Sequence, residues 1–148
     1  MMSANFSISI TEENINLAEA FNFVAAESNG AASSFIGTIR NKNLGRDVLG
    51  VSYDVHKPLA IKTITELCEE GQRCSLDTLR IFISHFQGRL SVGEISIAIA
   101  VGSPHRNESF IACRFLIEEI KHRCPIWKKE HYVDGNSEWV KGHALCQH

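Results

Sequence analysis

The chain has 148 residues, 44% of them hydrophobic and 22% charged, with 15 basic against 17 acidic side chains and a formal net charge of -2. That length suits one domain, residues 1–148, with a sizeable core. The near-neutral charge excludes a global basic field for nucleic acid, so any anion site must be a local cluster of Arg, Lys and His. The amino terminus lacks the layout of a secretory signal, and no apolar run approaches the roughly 20 residues needed to cross a bilayer. Five cysteines, with no CxxC pair, read as reduced thiols, and the expectation is a cytoplasmic protein without membrane contact.

Phe6 to Ile10 alternates apolar and polar residues and predicts a short opening strand. Thr11 is then the expected cap of a helix, with Glu12 and Glu13 at its positive end and Leu17, Phe21, Val24 and Ala25 as its apolar stripe. Ala31 to Arg40 reads as strand, the polar segment Asn41 to Asp47 as an exposed loop, and Val48 to Val55 as a second strand. Pro58 suits the first turn of a helix whose inner side carries Ile61, Ile64, Leu67 and Cys68.

Thr78 to Phe86 alternates again and is followed by a glycine-bounded link, Gly88 to Gly93. The clearest strand comes next: Ile95, Ile97, Ile99 and Val101 share one face, and Ser96, Ala98 and Ala100 share the other. The small face invites close packing by a helix, expected to be the one that follows from about Asn107 to Arg123 and ends at Pro125. Ile126 to Tyr132 looks extended, with a turn at Asp134-Gly135 before Trp139. Three helices among about seven strands, several in hairpin succession, indicate an α+β fold.

Three stretches carry candidate chemistry. In Lys121-His122-Arg123-Cys124-Pro125-Ile126-Trp127-Lys128-Lys129-Glu130, Lys121 ends a helix and Lys128 follows the reversal at Pro125, so the two ammonium groups can converge on one pocket. The same spacing also fits a solvated helix end with Trp127 as a core anchor. In an extended segment Ile126, Lys128 and Glu130 share a face, opposite Trp127 and Lys129. The second stretch, Ser103-Pro104-His105-Arg106-Asn107, opens a helix, where backbone N–H groups favour an anion; capping by Ser103 or Asn107 is the simpler alternative. The third, Gly37-Thr38-Ile39-Arg40-Asn41, ends a strand with an arginine that either forks onto phosphate or stays solvated. His85, on an alternating apolar face, reads as a hydrogen-bonded core residue, and Cys113 and Cys124 as packed inside. The tail His143 to His148 offers too few ligands for a structural zinc site, and no dinucleotide, P-loop, zincin or serine-hydrolase motif is present.

Taken together these stretches resemble the large, catalytic subunit of molybdopterin synthase, from about Gly30 to Trp139. Gly30-Ala31, Phe35 to Asn41, Asn43-Leu44-Gly45, His85, Gly88, Gly93-Glu94, His105-Arg106, Lys121 and Pro125 to Glu130 carry the likeness. It implies an α/β-hammerhead fold with an added small antiparallel sheet. It further implies sulfur transfer to cyclic pyranopterin monophosphate (precursor Z), with no metal and no cofactor. The sulfur donor would be the thiocarboxylate on the Gly-Gly terminus of a small ubiquitin-like subunit, in a heterotetramer built on a homodimer of large subunits. The substrate-binding residues implied are Thr38, Ile39, Arg40, His105, Arg106, Lys121, Lys128, Lys129 and Glu130, with Lys121 and Lys128 catalytic. By the same resemblance the anion pocket draws on both copies of the dimer. A relative that only scaffolds the small subunit or a pterin phosphate is the alternative. The chain departs from the usual pattern at Tyr53-Asp54, at His85-Phe86 (where His-Arg is common), at Thr38 and at Pro104.

Overall fold

The computed structural model describes residues 2–140. Its first strand, β1 (Phe6–Thr11), runs one residue further than the alternation suggested, because Thr11 still pairs in register with Phe86. Thr11 therefore does not cap the first helix. Its hydroxyl instead accepts from the Glu13 N–H at 3.0 Å and closes a turn. The cap is Asn16, whose side-chain oxygen accepts from the Ala18 and Glu19 amides ahead of α1 (Leu17–Val24). This later start rotates the stripe: Ala20 and Val24 are buried, Phe21 is 46% exposed and Ala25 ends the helix.

β2 (Ala31–Thr38) stops two residues short of Arg40 at an irregularity between Gly37 and Thr38. The polar segment after it is a tight hairpin rather than an open loop. β3 (Lys42–Asn43) pairs with the start of β4 (Arg46–Val55), and the two turn residues, Leu44 (φ 51°) and Gly45 (φ 76°), both adopt the left-handed conformation such a turn requires. α2 (Lys57–Arg73) begins with Pro58 in its first turn and buries Ala60, Ile64, Leu67 and Cys68. β5 (Arg80–Phe86) passes directly into β6 (Gly88–Ser91), which lies within the expected link and pairs with β4. Gly88, at φ +120°, makes that passage, a conformation side-chain-bearing residues rarely adopt. β7 (Ile95–Ser103), α3 (Arg106–Arg123), β8 (Ile126–Tyr132) and β9 (Ser137–Trp139) complete the described elements, nine strands and three helices.

The strands form two sheets. The first has the order β1-β5-β7-β2, with β1 parallel to β5 and the remaining pairs antiparallel. The second is built around β4, which pairs with β3, β6 and β8, while β9 lies beyond β8. This mixed α+β arrangement has the two-sheet form the sequence implied. The face of β7 carrying Ala98 and Ala100 is covered, but by α1 rather than α3: Ala20 and Val24 pack there with Phe82. α2 and α3 cover the opposite face, where Ile97, Ile99 and Val101 meet Ile64, Leu67, Leu116 and Ile120. Helices on both sides explain why β5 and β7 are buried along nearly their whole length despite their alternating sequences.

Cys68, Cys113 and Cys124 are buried and free, and Cys74 is free and exposed. Burial pushes the Cys68 and Cys124 thiols up to about 12 and that of Cys113 to about 11, which keeps them protonated and inert. The tail His143 to His148, with Cys146, lies outside the described residues. Among those described, no helix is long and apolar enough to cross a membrane.

Candidate functional site

The bend at Gly88 carries the chain from one sheet to the other and leaves a hollow at their junction. β2 brings Phe35, Ile36, Gly37 and Thr38 to it, with Arg40 just beyond the strand end. β4 contributes Tyr53, β5 contributes His85, and the start of β7 contributes Ser96 and Ile97. The last turns of α3 add Ile117 and Lys121, and β8 adds Lys128. The cavity is about 400 Å³. Its walls divide by chemistry: Phe35, Ile36, Ile97 and Ile117 are apolar, Thr38, Tyr53, His85 and Ser96 are neutral polar groups, and Arg40, Lys121 and Lys128 are cations. Among the described residues lining it there is no carboxylate. A smaller cavity of about 40 Å³ adjoins it, sharing Thr38, Arg40, Tyr53 and Lys128 and reaching Ile39 and Glu130.

Each cation is placed by its local structure. Lys121 stands in the final turn of α3, where unpaired carbonyl groups favour positive charge. Arg123, two residues on, turns to the outside and forks onto Glu70 of α2 at 2.9 and 3.1 Å while also bonding Glu119 at 2.8 Å. These exterior ion pairs tie α3 to α2 near the end that carries Lys121. Lys128 follows the reversal at Pro125 and sits opposite Tyr53 in the β4–β8 register. Its ammonium lies 3.5 Å from the Glu130 carboxylate, and the two side chains are 17% and 5% exposed. Glu130 thus sets the direction of Lys128 from behind the cavity. The alternation expected for β8 holds: Lys129 lies on the other face, its ammonium 5.5 Å from the centre of the Trp139 ring. Trp127 is not a core anchor. It is 42% exposed, and Ile126 is the buried residue at that turn.

His105 and Arg106 stand elsewhere. His105 caps α3 without a side-chain cap bond and faces Asp77 at 3.6 Å, with its side chain 83% exposed. Ser103 donates to the His105 carbonyl at 2.6 Å, so neither Ser103 nor Asn107 caps the helix. From Arg106 to Lys121 is about 22 Å along the axis at the usual helical rise. Within one chain the cavity therefore gathers Thr38, Arg40, Lys121 and Lys128, has Ile39 and Glu130 just behind it, and does not include His105, Arg106 or Lys129.

A family model described as MoaE protein matches residues 10–123, more than three quarters of the chain. The chain belongs to the MoaE family. Its relatives in that family include the molybdopterin synthase catalytic subunit of Synechococcus elongatus, 45% identical over 133 residues that cover 90% of this chain and 81% of the relative. The corresponding subunit of Nostoc is 38% identical over 134 residues, again covering 90% and 81%. Among solved structures, a chain of molybdopterin synthase from Staphylococcus aureus superposes with a TM-score of 0.82 at 31% identity, covering 96% of this chain and all of that one. Membership places the chain with molybdopterin synthase catalytic subunits, enzymes of molybdenum cofactor biosynthesis.

For this MoaE-family chain, sequence reasoning found the cations of the cavity and missed most of its neutral lining. Burial pushes the Tyr53 phenol up from its usual range against the opposing effect of a hydrogen bond with Ser96, and the nearby Glu130 charge adds to the rise. Ser96 in turn donates to the Gly37 carbonyl at 3.2 Å, which ties the start of β7 to the end of β2 across the cavity wall. Tyr53 becomes visible only once its pairing with Lys128 is known, whereas Ser96 stands out as the one hydroxyl on the small-residue face of β7.

His85 is the hydrogen-bonded core residue its position suggested, 1% exposed, and it also lines the cavity. Burial pulls its pKa down to about 4, with the Phe86 carbonyl opposing. An unfolded chain takes up this proton near pH 6.5, so the neutral histidine's contribution is complete above pH 6.5 and is lost as pH falls towards 4. The expected size is about 3 kcal/mol. Urea titrations at pH 7 and pH 4 should show the stability gap between wild type and His85→Gln shrinking by that order; parallel behaviour of the two proteins would contradict the assignment.

Proposed function

We propose that this chain, acting as one catalytic domain in the cytoplasm, transfers sulfur from the C-terminal thiocarboxylate of a small ubiquitin-like subunit to cyclic pyranopterin monophosphate, forming the molybdopterin dithiolene. The observation that carries the reading is a partly apolar cavity at the junction of two sheets with three cations and no carboxylate among its described lining residues. A cyclic phosphate and a thiocarboxylate are both anions. They meet in a water-poor pocket only when fixed positive charge offsets their repulsion, and that effect grows as solvent is excluded. Phe35, Ile36, Ile97 and Ile117 supply the surface that displaces water and accepts a flat heterocycle.

Arg40 holds phosphate through its forked donors. Lys121 lies beside the incoming thiocarboxylate, orients it and offsets its charge. Lys128, aligned by Glu130, donates a proton or stabilises the oxyanion as the thiocarboxylate carbonyl is attacked. Thr38 and Ile39 shape the strand end that presents Arg40. His105, Arg106 and Lys129 lie away from the cavity of their own chain, so their role in binding is exerted on the cavity of a second copy, within a homodimer that carries one small subunit at each outer end.

Mixing this chain with a thiocarboxylated small subunit and cyclic pyranopterin monophosphate is expected to yield molybdopterin. Tight complex formation without product would instead establish a scaffold that binds the small subunit or a pterin phosphate. Arg40→Ala is expected to raise the KM for the precursor about tenfold or more, the usual effect of removing a charged hydrogen-bond donor, with a smaller change in kcat. An unchanged KM would remove Arg40 from the phosphate site.

A further inference from the structure

His85 offers an atom that the roles above leave unused. Its Nδ1 lies 2.8 Å from the Phe86 carbonyl oxygen. A carbonyl only accepts, so Nδ1 carries the proton and donates it, and the other nitrogen of the neutral ring, Nε2, is left as a bare acceptor. The ring's orientation is fixed twice, by that bond and by the edge of Tyr53, whose ring centre is 5.0 Å away at an interplanar angle of 79°. Tyr53 meets this ring through an edge-to-face aromatic contact, not through a hydrogen bond to Nε2. Among the described residues no group hydrogen-bonds to Nε2, although the side chain is 1% exposed and lines the cavity. A buried acceptor without a partner is unfavourable and is retained where something else supplies the donor.

We propose that His85 is a recognition residue whose Nε2 accepts a hydrogen bond from a ring N–H or hydroxyl of the heterocycle bound in the cavity. The inference rests on the pterin-phosphate reading of the site and adds a division of labour within it. Arg40, Lys121 and Lys128 select negative charge, which any phosphate ester would satisfy. His85 lies among the neutral groups of the wall and selects a donor-bearing ring. A neutral acceptor in a dry pocket discriminates strongly against a ligand that lacks the matching donor, because the mismatch leaves the buried acceptor unpaired.

Two substitutions separate recognition from structure. His85→Asn retains a donor near the position of Nδ1, able to hold the Phe86 carbonyl, but withdraws the acceptor from the cavity. His85→Gln extends its amide to about the position of Nε2 and can return an acceptor there. In the reconstituted complex with thiocarboxylated small subunit, His85→Asn is expected to raise the KM for cyclic pyranopterin monophosphate about tenfold, with kcat affected less. His85→Gln is expected to stay within about threefold of wild type. An unchanged KM in His85→Asn overturns the proposal, as does a His85→Gln variant as impaired as His85→Asn. If wild type binds the precursor without turnover, the sulfur-transfer reading fails and calorimetric affinities for the same precursor decide His85 by the same ratios. A wild type that neither binds nor turns over the precursor overturns both.

Discussion

Lys121→Ala and Lys128→Gln should each lower molybdopterin formation by about a hundredfold or more, the scale on which a single preorganised charge or donor acts at a developing anion. Lys121 is the cation that α3 delivers to the cavity from its last turn, and Lys128 is the one delivered by β8, so neither substitutes for the other by a change of rotamer. Glutamine is the better replacement at position 128. Alanine would leave the Glu130 carboxylate, only 5% exposed, without its Lys128 partner, and the resulting loss of stability would obscure the loss of chemistry. Glutamine keeps a donor near Glu130 while removing the charge. Single-turnover assays with thiocarboxylated partner, alongside thermal melting of each variant, separate the two effects. Near-normal turnover in both variants would remove the lysines from the mechanism.

A second large effect concerns the packing of α1 on β7. Gly102→Ala is expected to destabilise the protein by about 3 kcal/mol and lower its melting temperature by roughly 10 °C. A methyl group there would stand 2.3 Å from the Val24 carbonyl oxygen, because the end of α1 rests directly on the backbone of β7. The obstacle is main chain, so relief requires α1 to lift from the Ala98 and Ala100 face. Gly71→Ala is the matched control. Its added methyl group would meet only the Phe115 ring at 3.7 Å, inside a helix where alanine is the better residue, so a neutral or slightly stabilising result is expected. Equal melting temperatures for Gly102→Ala and wild type would refute the close approach.

The parts of this protein that were legible in the sequence are those set by local pattern. The alternation of Ile95, Ile97, Ile99 and Val101, the proline at the start of α2 and the proline after α3 each name an element through short-range sterics and burial. Thr11 misled because a hydroxyl before two acidic residues looks like a cap, whereas pairing with Phe86 kept it in a strand and Asn16 took the role. β6 hid between two glycines because a four-residue strand has no periodicity of its own and exists by pairing with β4. The small face of β7 correctly announced a helix, yet which helix covers it is a matter of topology, and α1 comes from far earlier in the chain.

The candidate site divides in the same way. Charged residues at a strand end and a helix end could be named from their positions, and Thr38, Arg40, Lys121 and Lys128 do meet. Apart from Thr38, the neutral polar groups could not: Tyr53 reaches the cavity through the β4–β8 register, and His85 through the position of β5 just before the bend at Gly88. His105 and Arg106 had the right chemistry for an anion but stand at the far end of α3 from Lys121, so their part in any shared pocket depends on a second copy.

The most direct test is a structure of this chain in complex with its thiocarboxylated small subunit. The account predicts the glycine-ended tail of the partner threaded into the cavity between β2, β7 and α3, with its terminal thiocarboxylate within ion-pairing distance of Lys121 and close to Lys128. A tail that docks on another surface, leaving both ammonium groups out of reach of the sulfur, would contradict it.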